Sequence, residues 1–271
     1  MKIFKNKLNL QKEILKGEFI SFVPTMGGLH KGHISLIKKA KNYDYKILVS
    51  IFVNPKQFNK QNDYQNYPRN LNNDIKILKK LKVDYLYVPS NKDIYGFKPL
   101  NTVYLDKFSK QLCGKFRSGH FEGVLNVVNR FLEIIKPKYI FLGLKDFQQL
   151  TLINLHIVKK NINTKVIQCK TIREKNGVAC STRNFNLNSK QLKIASNIYK
   201  YLFNFKKKIK KNFYSINFHK LEKNLIFLGA SKVDYITDFD LKNLKKKNKN
   251  TRKFKIFIAY YIKNIRLIDN I

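Results

Sequence analysis

Buried strands and amphipathic helices alternate in the hydrophobic pattern of the first two thirds of the chain. Five apolar runs rich in branched and aromatic side chains predict strands, at Phe19–Val23, Lys46–Val53, Val83–Val88, Lys138–Leu142 and Lys165–Ile172. Apolar residues at helical spacing predict helices after Gly28 and over Asp74–Leu81, Val124–Ile135 and Gln148–Lys160. Because strands that alternate with helices form βαβ units, this pattern predicts an α/β fold around a parallel sheet.

The pattern changes after about residue 175. Two helices, Ser189–Lys211 and His219–Leu228, are predicted to precede short strands at Lys232–Ile236, Lys255–Ile262 and Ile265–Ile268. Helices followed by strands indicate a small α+β domain. We therefore expect two domains, residues 1–174 and residues 175–271, with the basic run Lys242–Lys253 as a solvated loop in the second.

The composition narrows the class of protein. With 271 residues, 44% of them hydrophobic, the chain can bury a large core. No apolar run approaches the roughly 18 residues that cross a bilayer, and the N-terminus lacks a signal-peptide core. Three cysteines without CxxC spacing indicate neither a disulfide framework nor a zinc cluster. We expect a soluble, cytoplasmic protein with no membrane partner.

The formal charge of +38 raises nucleic acid as a partner. The lysines are, however, spread over nearly every segment together with a surplus of Asn and Ile, whereas a nucleic-acid site needs a local basic stripe. We therefore expect no nucleic-acid partner, and a positive field that attracts anionic substrates.

The segment Val23–Ser35, VPTMGGLHKGHIS, joins the first predicted strand to a helix through a glycine-rich turn. Such a turn aims backbone N–H groups and the positive end of the helix dipole at one point, which suits a phosphate. His30 and His33 are three residues apart, so a helix that begins near His30 places both imidazoles on one face, above that phosphate. The alternative is two ordinary surface histidines after a tight turn, and the pattern favours neither.

Polar residues also follow two other predicted strands, at the edge where open α/β sheets bind ligands. Gln57 follows Lys46–Val53, and its amide suits a small polar substrate; its alternative role is that of a turn residue. Lys145 and Asp146 follow Gly143 and suit a phosphate and a ribose or metal. Alternatively this pair starts a helix, with Asp146 as its N-cap.

Two further clusters carry hydrogen-bond donors. Ser181, Thr182 and Arg183 form a set that can grip a phosphate, because a guanidinium binds two oxygens while hydroxyls donate beside it. The segment Arg117–Gly123, RSGHFEG, adds an arginine and His120, for which a structural role in a turn is the favoured interpretation.

Six blocks of sequence, in the same order, resemble the pantoate–β-alanine ligase (pantothenate synthetase) family of HxGH nucleotidyltransferases. They are VPTMGGLHKGH, VSIFVNPKQF, YPRN, GHFEGVLNVVNRF, GLKDFQQL and RNFNL, and the closing RLIDN is also similar. The resemblance implies a Rossmann-like nucleotide-binding domain with a smaller α+β C-terminal lid domain, in a cytoplasmic homodimer. It also implies a ligase that uses ATP and Mg²⁺ to join pantoate to β-alanine through pantoyl adenylate, with release of pyrophosphate and AMP.

The resemblance also assigns roles to individual residues. His33, His30 and Lys145 would be catalytic. The residues that would hold ATP are Met26, Gly27, Gly28, Leu29, His30, Lys31, Gly32, His33, Gly143, Leu144, Lys145, Asp146, Ile172, Cys180, Ser181, Thr182 and Arg183. Gln57 and Gln149 would hold pantoate, and Gln57 would also face β-alanine. Asp74 would be a candidate ligand for Mg²⁺.

Leu144 and Thr182 are among the positions that depart from the family pattern. Leu144 stands where the family has an acidic or amide residue, so only backbone contacts are expected there, whereas Thr182 keeps the hydroxyl of a usual serine. The strongest alternative function is another HxGH adenylyltransferase, acting on a phosphorylated cofactor precursor. Gln57 and Gln149 favour the ligase, because two glutamines at strand ends suit a small hydroxy acid better than a second phosphate.

Overall fold

The computed structural model describes residues 1–14, 19–211, 216–248, 251 and 253–271. These residues form two compact units, Met1–Thr171 and Ile172–Ile271, and each unit contains a hydrophobic core of its own. No helix among the described residues is long and apolar enough to span a membrane.

The first unit is built on one six-stranded parallel sheet. Its strands are β1 (Lys2–Phe4), β2 (Ile20–Thr25), β3 (Lys46–Ile51), β4 (Tyr85–Tyr87), β5 (Tyr139–Gly143) and β6 (Lys165–Cys169). They lie in the order β1-β4-β3-β2-β5-β6, and each neighbouring pair is parallel. The predicted α/β fold is confirmed.

Eight helices of the described chain belong to this unit. They are α1 (Lys7–Ile14), α2 (Lys31–Ala40), α3 (Gln61–Gln65), α4 (Leu71–Lys80), α5 (Asn91–Tyr95), α6 (Cys113–Phe116), α7 (His120–Ile135) and α8 (Phe147–Lys159). The helices predicted from apolar spacing are present as α2, α4, α7 and α8. The sequence pattern did not predict β1 and α1. Strand β1 gives little signal, since it has three residues, pairs with β4 at the edge of the sheet and is largely exposed.

Successive residues of the central strands serve opposite faces of the sheet. Val23 and Val49 belong to a core that also contains Ile37 of α2 and Leu78 of α4. Phe22 points the other way, and its ring lies 5.5 Å from that of Phe131 in α7. Burial on both faces explains why these strands are almost continuously apolar in the sequence.

The strand order marks the place where a ligand is expected. From β2 onward the chain adds β3 and β4 on one side and then β5 and β6 on the other, which gives the order 3-2-1-4-5 of a Rossmann-like sheet. The order therefore reverses between β2 and β5, and ligands of such sheets bind beyond the carboxyl ends of the two strands at that point. The glycine-rich turn follows β2, and Gly143–Asp146 follows β5.

The second unit contains two helices and a small antiparallel sheet. They are α9 (Ser189–Lys211), α10 (Phe218–Phe227), β7 (Lys232–Asp240), β8 (Phe254–Ile262) and β9 (Ile265–Asn270), with β8 in the centre of the sheet. Ile198, Leu202, Leu225 and Ile258 are part of its core. The α+β pattern predicted from the sequence is confirmed, although β7 continues four residues beyond the predicted end. Of the predicted loop Lys242–Lys253, residues 249, 250 and 252 lie outside the described residues.

Candidate active site

The turn between β2 and α2 needs its two glycines for backbone geometry. Gly27 and Gly28 have φ angles of +80° and +60°, which lie in the left-handed region that side chains disfavour. The hydroxyl of Thr25 accepts a hydrogen bond from Gly27 N at 3.2 Å and donates to the carbonyl oxygen of Ser50 at 2.7 Å. The turn is thus tied to β3 before helix α2 begins.

His30 and His33 form a capping box at the start of α2. His30 is the N-cap residue, and its Nδ1 accepts a hydrogen bond from Gly32 N at 3.0 Å. In return, Nδ1 of His33 accepts one from His30 N at 3.4 Å. The two rings lie with their centroids 4.0 Å apart, as the three-residue spacing predicts. In most capping boxes a hydroxyl and a carboxyl group fill these places, whereas here two imidazoles do so.

The capping box also decides which ring nitrogen carries the proton. Because Nδ1 of each histidine accepts a backbone N–H, a neutral ring must hold its proton on Nε2. The pKa of His33 lies well below its ordinary value, chiefly because the ring is withdrawn from water, and then because His30 and Lys145 lie close to it. At neutral pH His33 is therefore an uncharged donor through Nε2–H.

The segment after β5 places a cation near this donor. Lys145 lies in a short 3-10 helix, Leu144–Asp146, with its side chain largely buried, and its Nζ lies 3.4 Å from Oδ1 of Asp146. Asp146 stands at the N-cap of α8, as predicted for a helix start, but its side chain makes no capping hydrogen bond. A side chain added at Gly143 would meet no protein atom within 4 Å, so space adjoins this strand end.

Gln57 is held beside the glycine-rich turn. Its amide nitrogen donates to Sδ of Met26 at 2.8 Å, and its amide oxygen accepts from Asn54 Nδ2 at 3.2 Å. Asn54 is 1% exposed and also binds the carbonyl oxygen of Gly123 and the hydroxyl of Tyr95. The structure thus brings together Met26 and Gln57, which are 31 residues apart in the chain.

The backbone of Gln57 is fixed from a second direction. Its carbonyl oxygen lies 2.7 Å from Nδ1 of His120 and accepts a hydrogen bond from Arg117 at 3.2 Å. Helix α7 approaches the same segment so closely that an added side chain at Gly123 would collide with the carbonyl oxygen of Lys56. The structural role predicted for His120 is therefore found, and its partner is the residue predicted to hold pantoate.

Asp74 occupies a place different from the one expected of a magnesium ligand. Its side chain is buried, and its two carboxylate oxygens accept hydrogen bonds from Gly28 N at 2.9 Å and Leu29 N at 2.8 Å. Among the described residues, no group of three or more His, Cys, Asp and Glu side chains could hold a metal ion. Because both of its carboxylate oxygens already accept backbone hydrogen bonds, Asp74 and the described residues around it do not fit a magnesium ion.

Gln149 lies in the first turn of α8, half-buried, and its side chain makes no hydrogen bond with the described residues. Its neighbour Gln148 faces inward instead and binds the backbone of Phe108, Gln111 and Cys113. Of the two adjacent glutamines, only Gln149 is therefore available for a substrate.

The remaining candidates lie in the second unit. The carbonyl oxygen of Ile172 accepts a hydrogen bond from Cys180 N at 2.9 Å, and Cys180 itself is buried with its thiol 3.2 Å from Glu174. Ser181 caps the short 3-10 helix Thr182–Asn186 by accepting from Arg183 N. The roles of Ile172 and of Cys180–Arg183 toward a nucleotide stay predictions.

Sequence reasoning missed Asn54 and Tyr95 as supports of Gln57. The Asn-Pro pair three residues after β3 was a usable signal for Asn54, because its side chain caps the 3-10 helix Pro55–Gln57. Tyr95 had no such signal, since it is 41 residues from Asn54 in the chain.

The chain is similar to proteins of one known family over almost its whole length. The model of the family described as pantoate-beta-alanine ligase matches residues 2–271 of this chain. The chain belongs to the pantoate–β-alanine ligase family. A curated pantothenate synthetase from Francisella tularensis subsp. novicida is 44% identical over 265 residues, which cover 97% of this chain and 92% of that protein. The resemblance inferred from the six sequence blocks is confirmed.

Two solved structures of the same family share the fold. Pantoate-beta-alanine ligase from Francisella tularensis, complexed with beta-gamma ATP and beta-alanine, is 42% identical, with a TM-score of 0.84 over 100% of this chain and 97% of that one. Pantothenate synthetase from Thermus thermophilus is 28% identical, with a TM-score of 0.89 over 100% of this chain and 99% of that one. Membership of the pantoate–β-alanine ligase family makes the chain an acid–amine ligase of pantothenate biosynthesis and favours this function over the alternative adenylyltransferase.

Proposed function

We propose that this chain condenses pantoate with β-alanine in two steps at the carboxyl ends of β2, β3 and β5. In the first step a pantoate carboxylate oxygen attacks the α-phosphorus of ATP, and the bond from that phosphorus to the bridging oxygen of the β-phosphate breaks. Pantoyl adenylate forms and pyrophosphate leaves. A carboxylate is a poor acyl donor, so this activation is needed before an amine can react.

In the second step the uncharged amine of β-alanine attacks the acyl carbon of pantoyl adenylate. The bond from that carbon to the AMP oxygen breaks, AMP leaves with the electron pair, and the surplus proton of the nitrogen passes to solvent. The amide product is pantothenate. The Francisella tularensis ligase is complexed with beta-gamma ATP and beta-alanine, which supports ATP and β-alanine as substrates here.

The observation that carries the proposal is the tautomer imposed on His33. An uncharged imidazole that carries its proton on Nε2 donates a hydrogen bond without having to lose a charge or rotate. Negative charge grows on the α-phosphate oxygens as the carboxylate attacks, and we assign stabilisation of that charge to Nε2–H of His33 and to the ammonium of Lys145. His30 would donate beside them.

Gln57 and Gln149 are proposed to bind pantoate. Gln57 is well suited to this task because both its amide and its main chain are held by neighbours, so little conformational freedom is lost when a ligand binds. Gly143 and Asp146 are proposed to contact the nucleotide, since open space adjoins Gly143. Mg²⁺ with the ATP phosphates, a homodimer and a cytoplasmic location remain expectations from the family resemblance.

Exchange of labelled pyrophosphate into ATP tests this proposal. We expect exchange only when pantoate is present, and AMP release only when β-alanine is added afterwards. Exchange that appears only when a phosphorylated cofactor precursor replaces pantoate would favour the alternative adenylyltransferase. No exchange from a folded sample would contradict the proposed reaction.

A further inference from the structure

The carboxylate of Asp74 binds the turn that precedes the two histidines. Asp74 belongs to α4, is 1% exposed, and lies 46 residues after Gly28. Oδ2 accepts from Gly28 N and Oδ1 from Leu29 N, so each oxygen holds one of two consecutive backbone donors. This two-point contact fixes the direction in which the chain enters α2, because it determines both peptide planes just before His30.

The same contact changes the role expected of the glycine-rich turn. The sequence predicts that its free N–H groups face a phosphate, but the N–H groups of Gly28 and Leu29 point inward to Asp74. An added side chain at Gly27 would lie 3.1 Å from Oδ2, so Gly27 leaves room for the carboxylate. In this part of the turn, the backbone N–H groups thus bind a buried carboxylate of the protein itself, and the donors that we propose for a ligand are the imidazoles.

We infer that Asp74 is a positioning residue that sets the turn before His30 and His33 and thereby places their donors for the adenylation step. The effect that we expect on the adenylation rate rests on the proposed function. The structural part of the inference follows three steps in sequence. Asp74 binds Gly28 and Leu29, and Leu29 directly precedes the N-cap residue His30. The capping box then fixes His33 relative to His30.

A role as magnesium ligand would explain a buried carboxylate in another way. Mg²⁺ in ATP sites is usually bound by one or two carboxylates together with phosphate oxygens and water, and it keeps strict octahedral geometry. Each oxygen of Asp74 is already occupied by a backbone N–H, and the side chain is withdrawn from solvent. The positioning role therefore explains the hydrogen bonds of both carboxylate oxygens with the backbone. A role as magnesium ligand explains neither hydrogen bond.

The buried negative charge of Asp74 lowers the stability of the folded state. Burial raises the pKa of Asp74, although the N–H groups of Leu29 and Gly28 oppose that rise. A neutral amide at this position would remove the buried charge but would leave one of the two backbone donors without an acceptor. Since these two effects oppose each other, Asp74→Asn should fold with a melting temperature within about 5 °C of wild type.

The test compares Asp74→Asn and Asp74→Ser with Asp84→Asn. Asp84 is a matched control because it also accepts a backbone hydrogen bond, from Ile47 N at 2.9 Å, but it does so at the amino end of β3. We expect both Asp74 variants to lower kcat of pantoate-dependent pyrophosphate exchange at least about tenfold, with less than about threefold change in KM for ATP. Asp84→Asn should keep wild-type kcat.

Three outcomes would overturn the inference. Wild-type kcat in both Asp74 variants would mean that the contact does not position the donors. Recovery of the rate when Mg²⁺ is raised about tenfold would mean that Asp74 binds the metal. Failure of both variants to fold would assign Asp74 to folding alone.

A spectroscopic measurement keeps the inference separate from the proposed reaction. Long-range ¹H–¹⁵N spectra of protein labelled at histidine report which ring nitrogen carries the proton. We expect Nε2–H for His30 and His33 in wild type and in Asp84→Asn, and shifted His33 signals in Asp74→Asn. If wild type shows no exchange activity, the proposed reaction fails, but unchanged His33 signals in Asp74→Asn would still refute the positioning role independently.

Discussion

Nδ1 of His120 lies 2.7 Å from the main-chain carbonyl oxygen of Gln57. The guanidinium of Arg117 reaches the same oxygen at 3.2 Å and Nε2 of His120 at 2.9 Å. Because an arginine only donates, Nε2 of a neutral His120 must accept, and its proton lies on Nδ1, where it is donated to Gln57. His120 therefore carries the opposite tautomer from His30 and His33, and the backbone contacts decide the tautomer in each case.

This relationship predicts a defect in substrate binding when His120 is truncated. His120→Ala removes one of the two donors to the Gln57 carbonyl and an acceptor of Arg117, so the turn that carries the Gln57 amide loses its fixed geometry. We expect KM for pantoate to rise at least about fivefold, with less than about twofold change in KM for ATP. His219→Ala, at an exposed position of α10, is the control. Equal increases in both KM values would point to general loosening of the fold.

The close approach of α7 to Gln57 predicts that Gly123 cannot be replaced. In most helices Gly→Ala stabilises by roughly 1 kcal/mol. Here the added carbon would collide with the carbonyl oxygen of Lys56 and would push the 3-10 helix Pro55–Gln57 away from α7. We expect Gly123→Ala to raise KM for pantoate and to lower the melting temperature, as measured by calorimetry. Glu122→Ala, at the exposed neighbouring position of α7, should change neither quantity.

The proposed donors predict a loss of rate with the fold retained. His33→Ala and Lys145→Ala should each lower the adenylation rate at least about a hundredfold, which corresponds to about 2.7 kcal/mol of transition-state stabilisation. Pyrophosphate exchange measures the rate, and circular dichroism monitors the fold. Turnover like that of wild type in either variant would contradict the assignment of that residue. A protein whose main role is nucleic-acid binding would be indifferent to His33→Ala.

His156 predicts how stability depends on pH. The ring is fully buried, accepts from Tyr104 N through Nδ1, and pairs with Asn129 Oδ1 through Nε2. Burial first, and then the charge of Lys160, lower the pKa of His156 to about 4. In the unfolded chain His156 takes up a proton near the ordinary histidine pKa of about 6.5. Above that pH, His156 therefore does not make the free energy of unfolding depend on pH. As the pH falls from there toward 4, the folded state becomes less favourable.

Urea denaturation at about pH 7 and at about pH 4.5 measures this effect. The contribution of His156 to the fall in the free energy of unfolding should be on the order of 2 to 3 kcal/mol. His156→Gln is a suitable reference, because the amide can make both hydrogen bonds and does not titrate. The difference between wild type and His156→Gln should appear only at the lower pH. An equal loss of stability in both proteins would mean that His156 is not responsible.

The hydrophobic pattern was sufficient to predict the main secondary structure, because burial on both faces gives a strand a continuous apolar run and burial on one face gives a helix its spacing. The strands β2, β3 and β5 and the helices α2, α7 and α8 are examples. The sequence also predicted the glycine turn and the placement of His30 and His33 on one face of a helix, because both features depend on residues that are close in the chain. The capping box between the two histidines was found only in the structure.

Only the tertiary structure decided how these local features are connected. The contact of Asp74 with Gly28 and Leu29 joins residues 45 and 46 positions apart, and the contact of His120 with Gln57 joins residues 63 apart. Such pairs follow from the order of strands in the sheet and from the close approach of helices. No spacing or periodicity in a single sequence indicates which distant residues form such pairs. For that reason the sequence by itself identified Gln57 and the two histidines as candidates, while the fold determined what holds them in place and which nitrogen carries each proton.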